Sequence, residues 1–366
     1  MARHRRQARP FVDSALIEVG DRIPAFALAD SRGKQVTPVS NRLSGRPLLL
    51  VFEGERSKGA AAFGAELAAL REHQAELQSH DAVVMAITRR PPDDNRALEE
   101  DQALPFPVLS DPEARLYSSC RLEPAAARET AVILALDPNL RVVDVVDGSV
   151  AAAWARIAAA LATLEKPEAP TTLDHHAPVL VLPRVLSAED CANLIEVWHR
   201  PVPVWEGHDY TNQGFDREKG DFKAANKGEG SVVQFVVRDR QVQDYLDAKL
   251  RRRVIPEIQK AFQTKVSQRE DYRIAAYDAA EGGRLGPHRD NAIKTTRHRR
   301  FTVAVTLNAD GFQGGGLRFR EYSEEGYLVP TGTAIVWSAA LLHEVLPVTA
   351  GCRYVLATHL FGGSSS

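Results

Sequence analysis

The feature that most limits how this chain can fold is a polar segment near its middle, Lys166-Pro167-Glu168-Ala169-Pro170-Thr171-Thr172, broken twice by proline. Neither a helix interior nor a central strand tolerates such spacing, because each proline removes a backbone donor and fixes φ. At 366 residues the chain is too long for one ordinary core, whereas halves of about 150–190 residues are each long enough to bury their own. The sequence therefore predicts a basic tail over 1–18, a first domain over 19–165, a linker over 166–176 and a second domain over 177–362.

The second half alternates short β-rich runs with glycine-marked turns. Asp271 to Tyr277 reads as a strand, Glu281 to Pro287 breaks the pattern, and Phe301 to Asn308 is a near-continuous β run. Asp310-Gly311 and Gly314-Gly315-Gly316 supply turns, and Thr333 to Trp337, Leu341 to Val345 and Arg353 to Ala357 give further strands. Ahead of them, Ala177 to Pro183 is an apolar strand, and Ser187 with Asp190 forms a capping-box-like start for a helix running toward His199. The whole reads as a double-sheet, jelly-roll-like unit with flanking helices.

Within it lies His288-Arg289-Asp290. The histidine and aspartate stand two apart, so on a strand they project to one face, and His343 can complete a facial set of two imidazoles and one carboxylate, which suits iron(II). Such a triplet also arises by chance, and its surroundings carry the weight. Taken singly, His343 would more often be a hydrogen-bonded core histidine, and Asp290 or Arg353 a solvated or ion-paired group. His359 and Cys352 are assigned packing roles.

From about Ala177 to Gly362 the sequence resembles the iron(II)/2-oxoglutarate-dependent dioxygenases of the prolyl-4-hydroxylase-like branch, most specifically over His343-Glu344-Val345-Leu346-Pro347-Val348-Thr349-Ala350-Gly351-Cys352-Arg353-Tyr354. The resemblance implies a double-stranded β-helix in which His288, Asp290 and His343 hold iron and Arg353 grips the distal carboxylate of 2-oxoglutarate. Tyr277 and Thr306 match positions that add hydroxyl contacts to that carboxylate. Iron(II), 2-oxoglutarate and O2 are the implied cofactors, with ascorbate as a candidate reductant. The implied reaction is hydroxylation of a C–H bond in a peptide or small, amino-acid-like substrate. Gly315-Gly316-Leu317 departs from the family's frequent Gly-Gly-Glu-Leu. Two other readings stay open: a non-catalytic scaffold, and a cupin-type metalloenzyme that ignores 2-oxoglutarate and has no need of Arg353.

The first half reads differently. Val19 to Asp30, Pro47 to Phe52, a helix near 60–78, Ala82 to Ile87, Leu104 to Asp111 and Ala131 to Asp137 alternate strands with helices, an α/β layered pattern. These stretches resemble a peroxiredoxin of the thioredoxin fold. Peroxiredoxins set a nucleophilic cysteine at a helix start, where the helix dipole stabilises the thiolate. Here Phe63 stands about where that sulfur would be, and the first cysteine, Cys120, reads as a small apolar residue. The resemblance implies a redoxin-like domain without peroxidase chemistry, serving in docking, homodimerisation or shaping of the oxygenase.

A net charge of −2 argues for neither nucleic acid nor a membrane as partner. Three scattered cysteines exclude a disulfide framework, and no long apolar run is present, so a cytoplasmic location is expected. The polar stretch 206–230 is expected to act as a lid. The basic run Lys294-Thr295-Thr296-Arg297-His298-Arg299-Arg300 is either a solvated loop or an attractor for an acidic peptide, a carboxylated metabolite or a phosphate backbone.

Overall fold

The computed structural model describes residues 11–40, 42–54, 60–122, 131–164, 176–199, 215–216, 221–222 and 230–362. They divide into two compact units, one drawn from residues 14–170 and the other from 171–366 together with residues up to 13.

The first unit is built on a seven-stranded sheet with strands β1 (Leu28–Ala29), β2 (Gln35–Val36), β3 (Leu48–Glu53), β4 (Val83–Thr88), β5 (Val108–Ser110), β6 (Ala131–Leu136) and β7 (Val142–Asp147), in the order β2-β1-β5-β4-β3-β6-β7. The central pairs β3–β4 and β4–β5 are parallel, and β6 and β7 add antiparallel at one edge. Strands covered on both faces read as continuous apolar runs. Leu48-Leu49-Leu50-Val51-Phe52 of β3 and all of β6 are buried accordingly. The edge strand β7 instead alternates buried Val142, Asp144 and Val146 with more accessible residues. Helices α1 (Ala60–Arg71), α2 (Gln74–Ser79), α3 (Pro92–Asp101), α4 (Arg115–Ser119) and α5 (Val150–Ala162) complete the layers. The single helix expected over 60–78 is thus two. At the break His73 stacks on Trp154 with ring centroids 3.8 Å apart, and the Trp154 indole donates to Glu76 at 2.8 Å, contacts that a spacing argument does not see.

The second unit carries β8 (Leu180–Leu182), α6 (Ala188–Trp198), β9 (Phe215–Asp216), β10 (Asp221–Phe222), β11 (Gly230–Ser231), β12 (Val233–Val236), α7 (Arg240–Arg253), α8 (Ile255–Phe262), β13 (Gln268–Arg269), β14 (Arg273–Asp278), β15 (Arg284–His288), β16 (Phe301–Thr306), β17 (Phe312–Gly314), β18 (Leu317–Arg318), β19 (Gly326–Tyr327), β20 (Ala334–Ser338), β21 (His343–Val345) and β22 (Val348–Phe361). The capping box is formed: Ser187 accepts from the Asp190 N–H while Asp190 accepts from that of Ser187, and α6 runs to His199. Two antiparallel sheets face each other, one in the order β12-β14-β22-β16-β20-β8 and the other β11-β15-β21-β18-β19.

Strand alternation sends one side of the larger sheet toward the helices. Ile274, Val303, Val305, Leu356 and Leu360 pack there against α6, α7 and α8. The other side supplies Ala275, Tyr277, Ile335, Trp337 and Val355, which pack against Leu317, Phe319 and Val345 of the smaller sheet. The space between the two sheets holds the site. Phe11 joins the helix-side core, its ring 5.3 Å from that of Tyr245.

One local expectation is corrected. Residues 284–287, read as part of a break, join His288 in strand β15, because Gly282 (φ +70°) makes the turn and Pro287 falls within a register irregularity between Leu285 and His288, where its missing N–H costs no ladder bond. The lid expected over 206–230 lies outside the described residues, apart from the short β9–β10 ladder and the β11 residue Gly230. No helix among the described residues is long and apolar enough to cross a membrane.

Candidate metal and co-substrate site

His288 closes β15 and His343 opens β21, and the two are direct cross-strand partners, which sets their rings 4.3 Å apart. Asp290 sits two residues past the strand in a turn, tied by its N–H to the Ala339 carbonyl at 3.0 Å. Its carboxylate lies between the imidazoles, with Nε2 of His288 3.5 Å from Oδ1 and Nε2 of His343 3.5 Å from Oδ2. One donor atom from each of the three residues falls within 4.8 Å of the others, a cluster that could hold a metal ion.

Each imidazole is oriented from behind. Nδ1 of His288 lies 2.9 Å from the Gly286 carbonyl and Nδ1 of His343 lies 2.9 Å from that of Leu341. A carbonyl only accepts, so both Nδ1 atoms carry the proton and both Nε2 lone pairs are turned to the shared centre, the arrangement metal-binding histidines use. Burial opposes charge on both rings. For His343 it wins and the pKa falls, whereas for His288 the hydrogen bond and charge of Asp290 outweigh it and the pKa rises. Asp290 is held well below the usual carboxylate range because the surrounding imidazoles and the Thr302 hydroxyl together outweigh its own burial.

Thr302 is a residue that sequence reasoning missed. Its hydroxyl donates to Oδ2 of Asp290 at 2.6 Å and lies 3.1 Å from Nδ1 of His359. His359 is therefore no mere packing residue. Since the threonine proton goes to an ionised carboxylate, its oxygen accepts from the histidine. Burial holds His359 neutral by lowering its pKa to about 4. A second missed support is Glu321, which accepts from both terminal nitrogens of Arg289 (2.6 and 3.3 Å) and from the N–H of Leu342 (3.2 Å), stitching the two ligand-bearing segments together. The only signal in the sequence was parity: Thr302 and Thr306 share a strand face, as do Arg353 and His359.

Farther along the inner face, Arg353 on β22 is the register partner of Tyr277 on β14. Its guanidinium carbon lies 5.4 Å from the Tyr277 ring centroid and 5.9 Å from that of Phe312. Arg353 is buried, and among the described residues no carboxylate pairs with it; burial lowers its pKa. A Cβ at Gly315 would come within 3.1 Å of the Arg353 side chain and 2.8 Å of Val348, and φ there is +67°, so glycine is what leaves room for the guanidinium. Thr306 lies on the same face opposite Val355. A buried guanidinium without a counter-ion is expensive and calls for an anion. The residues present thus fit both an iron ion, with two imidazoles and a carboxylate, and a carboxylate ligand at Arg353.

Comparison with known proteins follows the same division. Residues 272–361 match the 2OG-Fe(II) oxygenase superfamily, where 2OG is 2-oxoglutarate. The C-terminal unit contains a 2OG-Fe(II) oxygenase domain. That family uses Fe(II), 2-oxoglutarate and O2. Residues 19–143 match the AhpC/TSA family, and the N-terminal unit is a peroxiredoxin-like domain of thioredoxin-like fold. Among curated relatives of the oxygenase domain, a PKHD-type hydroxylase of Synechococcus sp. (strain JA-2-3B'a(2-13)) is 36% identical over 87 residues, covering 22% of this chain and 38% of that protein. A PKHD-type hydroxylase of Xanthomonas euvesicatoria pv. vesicatoria is 34% identical over 82 residues, covering 20% and 36%. The chain thus spans little more than a third of the length of either relative. Among solved structures, the viral collagen prolyl hydroxylase of Paramecium Bursaria Chlorella virus-1 aligns at 19% identity over 50% of this chain and 94% of its own, with a TM-score of 0.34. The Mycobacterium tuberculosis peroxidoxin BcpB aligns at 20% identity over 41% and 99%, with a TM-score of 0.36.

In the peroxiredoxin-like domain Phe63 is fully buried in α1, and Cys120 is fully buried with its thiol pushed up to about 12 by desolvation. Neither position offers a reactive thiolate.

Proposed function

We propose that the protein is an iron(II)/2-oxoglutarate-dependent hydroxylase acting on a C–H bond of a peptide or small amino-acid-like substrate. In this reading His288, Asp290 and His343 hold the iron and Arg353 holds the distal carboxylate of 2-oxoglutarate. The observation that carries it is the pairing of a convergent triad with a buried guanidinium that no described carboxylate neutralises, the two facing the space between the sheets from opposite sides. A guanidinium fork grips a carboxylate through two parallel bonds, each worth about 1.5–3 kcal/mol. Bound iron and 2-oxoglutarate would supply the oxidising chemistry with O2. The chain's own part is to place them: the Nδ1–carbonyl bonds aim the histidines, Thr302 fixes the carboxylate, and the apolar wall of Trp337, Phe319 and Val355 excludes water. Tyr277, beside Arg353, and Thr306 add hydroxyls to the co-substrate end. We read residues 19–165 as a docking or dimerisation domain without peroxidase activity and 177–362 as the catalytic domain.

The test is anaerobic addition of iron(II) and 2-oxoglutarate to metal-free protein. The weak visible charge-transfer band of chelated 2-oxo acid is expected in the wild type and lost or weakened in His288→Ala and Arg353→Ala. Absence of the band with iron demonstrably bound overturns the reading.

A further inference from the structure

A second guanidinium on the inner face has no hydrogen-bond partner among the described residues. Arg273 opens β14, and its parity with Ala275 and Tyr277 turns it to the side of the sheet that carries Arg353. It is opposite Ala357 on β22, and Ala357 is opposite Ala304 on β16. Both alanines stay partly accessible in the middle of a sheet, where larger side chains would close the space. Beside this row runs the row of His359 and Thr302, which supports Asp290. Arg273 thus lies two strands from Thr302 and in the adjacent row, about 10 Å across the sheet from the residue that supports Asp290.

Arg273 shares its one neighbouring carboxylate with a second guanidinium. Its nearest acid is Glu270, 3.6 Å away and beyond hydrogen-bonding distance. Both oxygens of Glu270 already accept from Arg299, at 2.6 and 2.7 Å, and His298 stands 3.0 Å from one of them. Asp271 is taken by Arg238 at 2.9 Å. His359 is neutral, and Asp290 belongs to the iron. Arg299 therefore answers Glu270, and one positive charge remains, four-fifths withdrawn from water and lowered in pKa by that burial. Arg353 is likewise a withdrawn guanidinium facing the interior, though it has no carboxylate beside it, whereas Arg273 shares Glu270 with Arg299.

We propose that the substrate of the hydroxylase carries a carboxylate that pairs with Arg273, several bonds from the carbon presented to the metal centre. This rests on the hydroxylase reading and narrows its substrate to acids. A free carboxylic acid and an acidic side chain in a peptide share the chemistry, and the probes separate them.

Full-length protein is loaded with Mn(II) in place of iron, and 2-oxoglutarate is added to saturation so that Arg353 is engaged. Paramagnetic relaxation of probe protons is then followed by NMR for N-acetyl-L-alanine, for the α-amide of N-acetyl-L-aspartic acid, whose one carboxylate is the side chain's, and for N-acetyl-L-alaninamide. At least one acid is expected to relax about tenfold more than the neutral amide, the size of one lost charge-assisted contact. That difference should vanish in Arg273→Gln and persist in part in Arg273→Lys. Which acid responds tells a free carboxylate from a side-chain one. Equal relaxation of acids and amide, no relaxation of any probe, or an unchanged difference in Arg273→Gln overturns the proposal. Loss of the iron/2-oxoglutarate band in Arg273→Gln overturns it too, by placing Arg273 in the co-substrate site. The band in the wild type reports separately: its absence sinks the hydroxylase reading, whereas its presence without acid selectivity sinks only this one.

Discussion

Replacing Thr302 by valine keeps the β-branched shape and deletes one hydroxyl. That hydroxyl makes a 2.6 Å bond to Oδ2 of Asp290 and receives one from His359 at 3.1 Å. The first is a short bond to an ionised acceptor, a type worth about 1.5–3 kcal/mol, and its loss leaves two withdrawn groups, a carboxylate oxygen and an imidazole N–H, without a partner. Valine should therefore destabilise metal-free protein by about 2–4 kcal/mol, the stronger bond plus part of the second penalty. It should also free the Asp290 carboxylate to rotate away from the imidazoles. Residues that orient metal ligands typically contribute about 10–100-fold to metal affinity, and a similar loss is expected for iron(II). Anaerobic competition titration against a chromophoric chelator reads the affinity, and urea unfolding of the metal-free protein reads the stability. Thr302→Ser, which keeps the hydroxyl, should recover most of both. If Thr302→Val binds iron within threefold of wild type, the hydroxyl does not orient Asp290 and the support assigned to it is wrong.

Glu321→Gln should weaken iron binding less than Thr302→Val, because the Arg289–Glu321 pair is partly solvent-exposed, and the same chelator titration ranks the two. His359 has a folded pKa of about 4 against an unfolded value near 6.5, so its contribution is complete above pH 6.5 and disappears as pH falls toward 4. Metal-free wild type should accordingly lose on the order of 3 kcal/mol more than His359→Gln between pH 7 and 4, read from urea midpoints across that range, and parallel pH profiles would refute the assignment. Native protein treated with iodoacetamide at pH 8 should label Cys352 first, since burial lifts the thiols of Cys120 and Cys191 to about 12, and peptide mass mapping that finds Cys120 labelled as fast would contradict its burial.

The parts of the site that were legible in the sequence are those set by local spacing. His288 and Asp290 are two residues apart, and His343 and Arg353 each fall in a β-rich run, so ligand chemistry and spacing point to them together, although Asp290 reaches the cluster from a turn past β15 and not from a strand face. The supports were not legible because they are contacts across long stretches of chain: Thr302 reaches His359 over 57 residues and Arg289 reaches Glu321 over 32. Their residue types carry no signal, since a threonine in a strand and an exposed arginine–glutamate pair are ordinary. The misread break at 284–287 has a different origin. Glycine and proline count against a strand in any local scheme, yet at a bulged position the missing N–H of Pro287 costs nothing.

The N-terminal domain keeps a thioredoxin-like core around Phe63. Its two apolar layers lie on opposite faces of one sheet, one holding Leu49, Val51, Ala86 and Ile133, the other Leu50, Phe52, Met85, Ile87 and Leu134. Phe63 belongs to the first layer together with Leu67 and Leu70 from the same helix. A nucleophilic thiolate needs water, a cationic neighbour or the open end of a helix, and a packed aromatic ring needs the reverse. Putting a cysteine at Phe63 would therefore open a cavity, at a cost of about 3–5 kcal/mol for a change approaching Phe→Ala, and leave the sulfur as desolvated as that of Cys120. The position contributes packing and leaves no room for a redox centre at Phe63.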